Sequence, residues 1–154
     1  MIAEQLLPWW LYELKKLRTE IELYESDADL WEVRGGAPNS AGRLVWHLIG
    51  NLNHFIGAEM GNTGYIRDKD NEWSEMNVPK EKLLQEFDKV VEMIKKVFPT
   101  IKDDTLFTEP SIKFMGKELT RGEALSYAFH HLGWHGGNIY SHRRYNPVAQ
   151  KSAS

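Results

Sequence analysis

There is no cysteine among the 154 residues. Disulfides and thiolate metal ligands are therefore excluded, and the composition fits a reducing compartment. Any thiol chemistry would have to use a thiol brought in from outside the chain. Long apolar runs are missing too: none approaches the ~20 residues that span a bilayer. The N-terminus shows no basic patch, apolar stretch and small-residue cleavage site of the kind that marks a signal peptide. No membrane partner and a cytoplasmic location are the resulting expectations. Lys and Arg form no stripe and the formal net charge is −3, so nucleic acid is not an expected partner. What the chain does have is 42% hydrophobic and 27% charged residues, the balance of a globular protein long enough to bury one core. A single domain over residues 1–146 and a flexible tail over 147–154 are expected. The six tryptophans read as core residues.

Helical periodicity dominates the rest. From Pro8 to about Ser26, residues Trp10, Leu11, Leu14, Leu17, Ile21 and Tyr24 recur every three or four positions. Pro8 suits the first turn of that helix, where its missing N–H costs nothing. Residues 27–39, with Gly35, Gly36 and Pro38, read as a loop. Asn39 or Ser40 can cap a second helix to about Met60, with Leu44, His47 or Leu48, Leu52, Phe55 and Ile56 as its apolar set. Gly61-Asn62-Thr63-Gly64 stops it, and a polar connection leads to Val78. Pro79 opens a third helix carrying Leu83, Leu84, Phe87, Val90, Val91, Ile94 and Val97, and Pro99 closes it. Residues 101–119 read as irregular or as a short hairpin arm. Thr120 followed by Glu123 is a capping box that starts a fourth helix running to about Tyr145. The pattern predicts an all-α four-helix bundle with a short irregular or hairpin arm before the last helix.

The chemistry concentrates in histidines. His131 and His135 stand four apart in the fourth helix, which puts their Cβ atoms roughly 5–6 Å apart on one face. His47 lies in the other strongly apolar helical stretch. Three neutral imidazoles with an open fourth position form the donor set of a reactive metal site. His130 points about 100° away from His131, and His54 lies about 10 Å along the axis from His47. With His142, nearly two turns beyond His135, these read as surface residues or as supports to the site. Asn51 and Asn138 each fall one turn from a proposed ligand and could orient a bound water or substrate. Gly133, Gly136 and Gly137 either allow close helix packing or leave room for a ligand beside the metal. The run His-Leu-Gly-Trp-His lacks the glutamate of a zinc-peptidase helix, and no Glu-x-x-His repeat of a di-iron bundle is present. The carboxylates on these two helices, Glu59 and Glu123, fall about three and two turns from the nearest ligand. No residue stands out as a general acid or base.

The stretch from Asn39 to Leu52, Asn-Ser-Ala-Gly-Arg-Leu-Val-Trp-His-Leu-Ile-Gly-Asn-Leu, resembles the second helix of the DinB/YfiT-like superfamily. The run from His131 to Ile139 is similar to that family's His-x-x-x-His-x-Gly-Gln-Ile signature. The resemblance covers residues 5–145 and looks closest to a subgroup of bacterial proteins catalogued as DUF1572. It implies an up-down-down-up bundle, often dimeric, that binds a divalent metal (zinc or nickel) through three histidines. By motif these are His47, His131 and His135. Asn138 stands where the family usually has Gln. Characterised relatives include thiol-dependent transferases and isomerases that use bacillithiol, mycothiol or glutathione. The implied function is a metal-dependent thiol S-transferase acting on a small electrophile, with a low-molecular-weight thiol as co-substrate and a homodimeric assembly. The alternative is a metal-binding stress-response or interaction bundle without catalysis.

Overall fold

The computed structural model describes residues 1–74, 77–107, 112–114 and 116–145, so the expected tail lies outside the described residues. Helix α1 spans Ile2–Glu22 and buries Ala3, Trp10, Leu14, Leu17 and Ile21, a seven-residue rhythm along one face. It starts a turn and a half earlier than the sequence suggested, and Pro8 sits inside it rather than in its first turn. Tertiary contacts explain the difference. Ala3 is fully buried, and the Ile2 N–H donates to Asp103 Oδ1 at 2.7 Å, so the first turn is capped from a distant part of the chain.

The segment expected to be a loop contains a short helix, α2 (Asp27–Trp31). Ser26 Oγ accepts from the Asp29 N–H at 3.1 Å, and Leu30 and Trp31 are buried. Trp31 donates through Nε1 to the Val78 carbonyl at 2.8 Å and lies on Gly42, where a Cβ would fall 2.7 Å from the indole ring. Helix α3 (Ala41–Leu52) is capped by Ser40, whose Oγ accepts from the Arg43 N–H at 3.2 Å. It runs on through a π-helical stretch, Asn53–Ala58, into a last turn, α4 (Glu59–Gly61). Asn62, at φ 51°, takes the left-handed conformation that ends it.

The polar connection that follows holds another helix, α5 (Lys69–Ser74). Helix α6 (Lys80–Val97) buries Leu83, Phe87, Val90, Ile94 and Val97. Two 3₁₀ turns, Phe98–Thr100 and Asp103–Leu106, lead to an antiparallel hairpin of β1 (Ile112–Phe114) and β2 (Lys117–Leu119), with Ile112 opposite Leu119. Helix α7 (Arg121–Arg144) begins at the expected capping box: the Glu123 N–H reaches Thr120 Oγ1 at 3.2 Å and the Thr120 N–H reaches Glu123 Oε2 at 2.8 Å.

The four long helices close a bundle in which α7 and α6 each pack against both α1 and α3, leaving α1 and α3 diagonal to one another. At one end Trp10 meets Phe98 edge-on, ring centroids 5.3 Å apart. The tryptophans divide rather than all entering the core: Trp10 and Trp31 are buried, while Trp9, Trp73 and Trp134 are exposed. Among the described residues no helix is long and apolar enough to cross a membrane. Because α7 carries two of the candidate ligands, its start matters to the site. Thr120→Ala should lower stability by about 1 kcal/mol, read from the urea unfolding midpoint, through loss of the cap.

Candidate metal centre

Helices α3 and α7 are neighbours in the bundle, so one face of each looks across a shared seam. Leu44 and Leu48 on α3 and Leu132 on α7 are buried next to the histidines in sequence. The ridge positions between those leucines bring His47 opposite His131 and His135. The convergence is close: His131 Nε2 lies 2.9 Å from His135 Nε2, and His47 Nε2 lies 3.4 Å from His131 Nε2. One ligand atom from each of the three falls within 4.8 Å of the others. Two nitrogens that share a tetrahedral zinc at ordinary bond lengths stand roughly 3.3–3.4 Å apart. The residues therefore fit a single divalent ion, and small side-chain rotations suffice to open the shorter pair.

Electrostatics favours the same conclusion. Burial, reinforced by the neighbouring imidazoles His135 and His47, pushes His131 down to about 3. Burial and His47 push His135 down to about 4. Both rings are neutral near pH 7, which is the form that binds a metal. The Nδ1 atoms of His131 and His135 and the Oδ1 of Asn51 are buried, with no hydrogen-bond partner among the described residues. A cluster of this kind is poorly satisfied by its own protons.

The surroundings contain a residue that sequence reasoning missed. Glu72 on α5 is 5% exposed, and its Oε2 lies 3.1 Å from His47 Nδ1. Arg67 grips the same carboxylate with two bonds, Nε to Oε1 at 2.6 Å and Nη2 to Oε2 at 2.8 Å. Burial acts to raise the Glu72 pKa, but the hydrogen bonds from Arg67 and His47 outweigh it and hold the carboxyl below its ordinary value. The neighbouring Trp73 stacks on His47 with centroids 4.8 Å apart and an interplanar angle of 28°. Tyr127 stacks on His131 at 5.6 Å. The one local signal for α5 was Asp68, whose Oδ1 accepts from the Asn71 N–H at 3.1 Å as a helix cap does.

With two imidazoles covered by aromatic rings, the third faces open space. His135 lines a cavity of ≈ 450 Å³ whose walls include Leu44, Trp134, Tyr145, Asn39 and Asn138. Asn138, exposed on that rim, is placed to meet an occupant. Asn51 is 3% exposed inside α3. The glycines behave differently from both expectations. A Cβ at Gly133, Gly136 or Gly137 would meet nothing within 4 Å, so they are not sites of close packing. They line a groove with Tyr12, Lys16 and Tyr140 between α1 and α7, on the side of α7 turned away from the histidine pair, so they make no room beside the metal either.

The remaining histidines stay out of the cluster. His130 is exposed and His54, half-buried, faces Glu59 at 3.9 Å. His142 is a core residue rather than a surface one, 7% exposed. Its Nε2 sits 2.7 Å from the Glu32 carbonyl, which can only accept, so Nδ1 takes the hydrogen bond from the Tyr24 hydroxyl at 2.8 Å.

A pH dependence follows for the metal-free protein. His131 and His135 titrate below their ordinary 6.5 in the fold, so between those values the unfolded chain binds protons that the fold does not. Their contribution is intact above pH 6.5 and is lost as the pH falls toward 4. Thermal midpoints should drop more steeply over that range in the parent than in a His131→Ala, His135→Ala double variant. Parallel profiles would show that the two rings are not desolvated.

The sequence profile of the DinB superfamily matches residues 12–139, a span that includes all three histidines. No curated protein matches the chain. Among solved structures, a DinB-like protein from Bacillus cereus ATCC 10987 is similar, with a TM-score of 0.71 over 92% of this chain and 90% of that one. At 17% identity that likeness speaks for the fold. A profile match over most of the length, on an all-helical frame that the neighbour shares, settles the kinship: the chain belongs to the DinB superfamily.

Proposed function

We propose that the protein is a divalent-metal-dependent enzyme, a thiol S-transferase acting on a small electrophile. The observation that carries this reading is the asymmetry of the histidine cluster. Three imidazole nitrogens converge, two of the rings are covered by Trp73 and Tyr127, and the third opens on a cavity large enough for a small molecule. Zinc or nickel suits an all-imidazole donor set. His47, His131 and His135 would hold the ion. Bound there, it would supply Lewis acidity that turns a coordinated thiol into a thiolate, the nucleophilic form.

The side chains around the site support that division of labour. Among the described residues the carboxylate that reaches the cluster is Glu72, which is occupied by Arg67 and His47 and is not free to take a proton from a substrate. With no cysteine in the chain, the thiol comes from solution as a low-molecular-weight co-substrate. Leu44, Trp134 and Tyr145 offer apolar walls for the electrophile, and the Asn138 amide is placed to orient it. Asn51, buried one turn beyond His47, is the weaker candidate for that role. A small-molecule substrate, a homodimer and a cytoplasmic setting complete the proposal. The competing possibility is a metal-binding bundle without catalysis, and the same experiment separates the two.

Elemental analysis of the protein beside a His47→Ala, His131→Ala, His135→Ala variant should find about one divalent ion per chain in the parent and none in the variant. The cobalt-substituted parent should then change its visible spectrum on addition of bacillithiol, mycothiol or glutathione. Metal without any response to a thiol would favour the non-catalytic bundle. No metal in either protein after zinc or nickel is supplied would remove the metal centre altogether.

A further inference from the structure

Helix α5 brings to the cluster a set of contacts that the metal-ligand reading by itself does not need. Glu72 is nearly buried and touches His47 at Nδ1, 3.1 Å away, on the side of the ring opposite the cluster. An ionised carboxylate can only accept, so in the form of the ring that can bind a metal it is Nδ1 that carries the proton. The other nitrogen, Nε2, is then left with a lone pair, and it is Nε2 that faces His131 at 3.4 Å. Arg67 fixes both carboxylate oxygens in a forked pair, at 2.6 and 2.8 Å, which holds the group ionised and in one orientation. Trp73, next in the chain, stacks on the same imidazole.

Helix α3 is shaped to receive this carboxylate. At Gly50 a Cβ would lie 2.1 Å from Glu72 Oε1 and 2.5 Å from its carboxyl carbon. No side chain fits there while Glu72 stays in place, and Arg67 leaves the carboxylate little freedom to move. The other two rings differ: among the described residues the Nδ1 atoms of His131 and His135 have no hydrogen-bond partner. His47 is the one ligand candidate among the three whose outer nitrogen is held by the protein.

The geometry points to Glu72 as a positioning residue, clamped by Arg67, that sets His47 in the Nδ1–H tautomer and so presents its Nε2 to a divalent cation. The seating of α5 against Gly50 is thereby coupled to metal binding, since the helix that carries Glu72 also covers the His47 ring. This inference rests on the metal-centre reading of the three histidines. A hydrogen-bonded outer partner orients a ligating imidazole and raises its basicity, and loss of such a partner typically costs about 10- to 100-fold in metal affinity.

The test has two readouts. Long-range ¹⁵N–¹H NMR of the metal-free protein at neutral pH reports each imidazole tautomer with no ion present. His47 should be protonated at Nδ1 in the parent. In Glu72→Gln the amide oxygen stays on Arg67 and the NH₂ group turns to His47, so the ring should switch to the Nε2–H form. Zinc affinity, measured by chelator competition, should then fall about 10- to 100-fold. Gly50→Ala removes no hydrogen-bonding group and adds a good helix former, yet its methyl evicts the carboxylate. It should lose zinc affinity in the same way while still folding, with a metal-free thermal midpoint lowered as for any overpacked buried site. A parent that binds zinc with His47 in the Nε2–H form would overturn the positioning role, as would undiminished zinc affinity in both variants. A parent that binds no zinc at all would overturn the metal reading and this inference with it.

Discussion

Three imidazoles pressed nitrogen to nitrogen in a poorly solvated seam are an unfavourable arrangement unless something positive sits among them. Burial and mutual repulsion keep His131 and His135 from taking up protons, while their outer nitrogens and the Asn51 side-chain oxygen find no partner among the described residues. The contacts between the inner nitrogens and from Glu72 to His47 offset only part of that desolvation, so the cluster also depends on the packing of α3 against α7. Leu48 and Leu132 are buried in the core beside the histidines, while Leu44 borders the open cavity. The length and capping of both helices then serve to hold three side chains at distances suited to one cation.

From that constraint the site acquires two unlike sides. Helix α5, Trp73 and Tyr127 close one of them, where a bidentate arginine and a buried carboxylate form a rigid wall behind His47. The other side opens past His135 into the cavity between α7 and the segment around Arg34 and Asn39. A closed wall protects the ligands from competing water, and an open one admits a reactant. The three imidazoles are thus walled on one side and open on the other. His142 contributes from inside the bundle. By joining Tyr24 on the loop after α1 to the Glu32 carbonyl after α2, it anchors the connection that forms the far edge of that cavity.

Much of this was legible in the chain before any coordinates. A capping box for α7, a cap serine for α3, Pro79 before α6 and the apolar stripes announced these helices closely, because such signals are local and tertiary packing had no reason to overrule them. His131 and His135 were readable as a pair for the same reason, since four residues is one helical turn. What misled were the places where a distant contact outweighed a local preference. Pro8 was tolerated inside α1 because Ala3 and the Asp103 cap reward the extra turn, and His142 was drawn inward by partners more than a hundred residues away.

The sequence by itself determined an all-helical chain, two histidines on one face of its last helix, a third in an apolar helix, and the lack of any internal thiol. Each is a matter of residue type and spacing along one helix. Only the tertiary structure decided that α3 lies beside α7, so that His47 meets the pair, and that Glu72, held by Arg67, reaches His47 from a connection that reads as merely polar. It alone also decided which ring faces solvent, and that the three glycines of α7 line a groove away from the site. Side chains from separate helices acquire neighbours through packing, and periodicity within one helix carries no information about which other helix its face will meet.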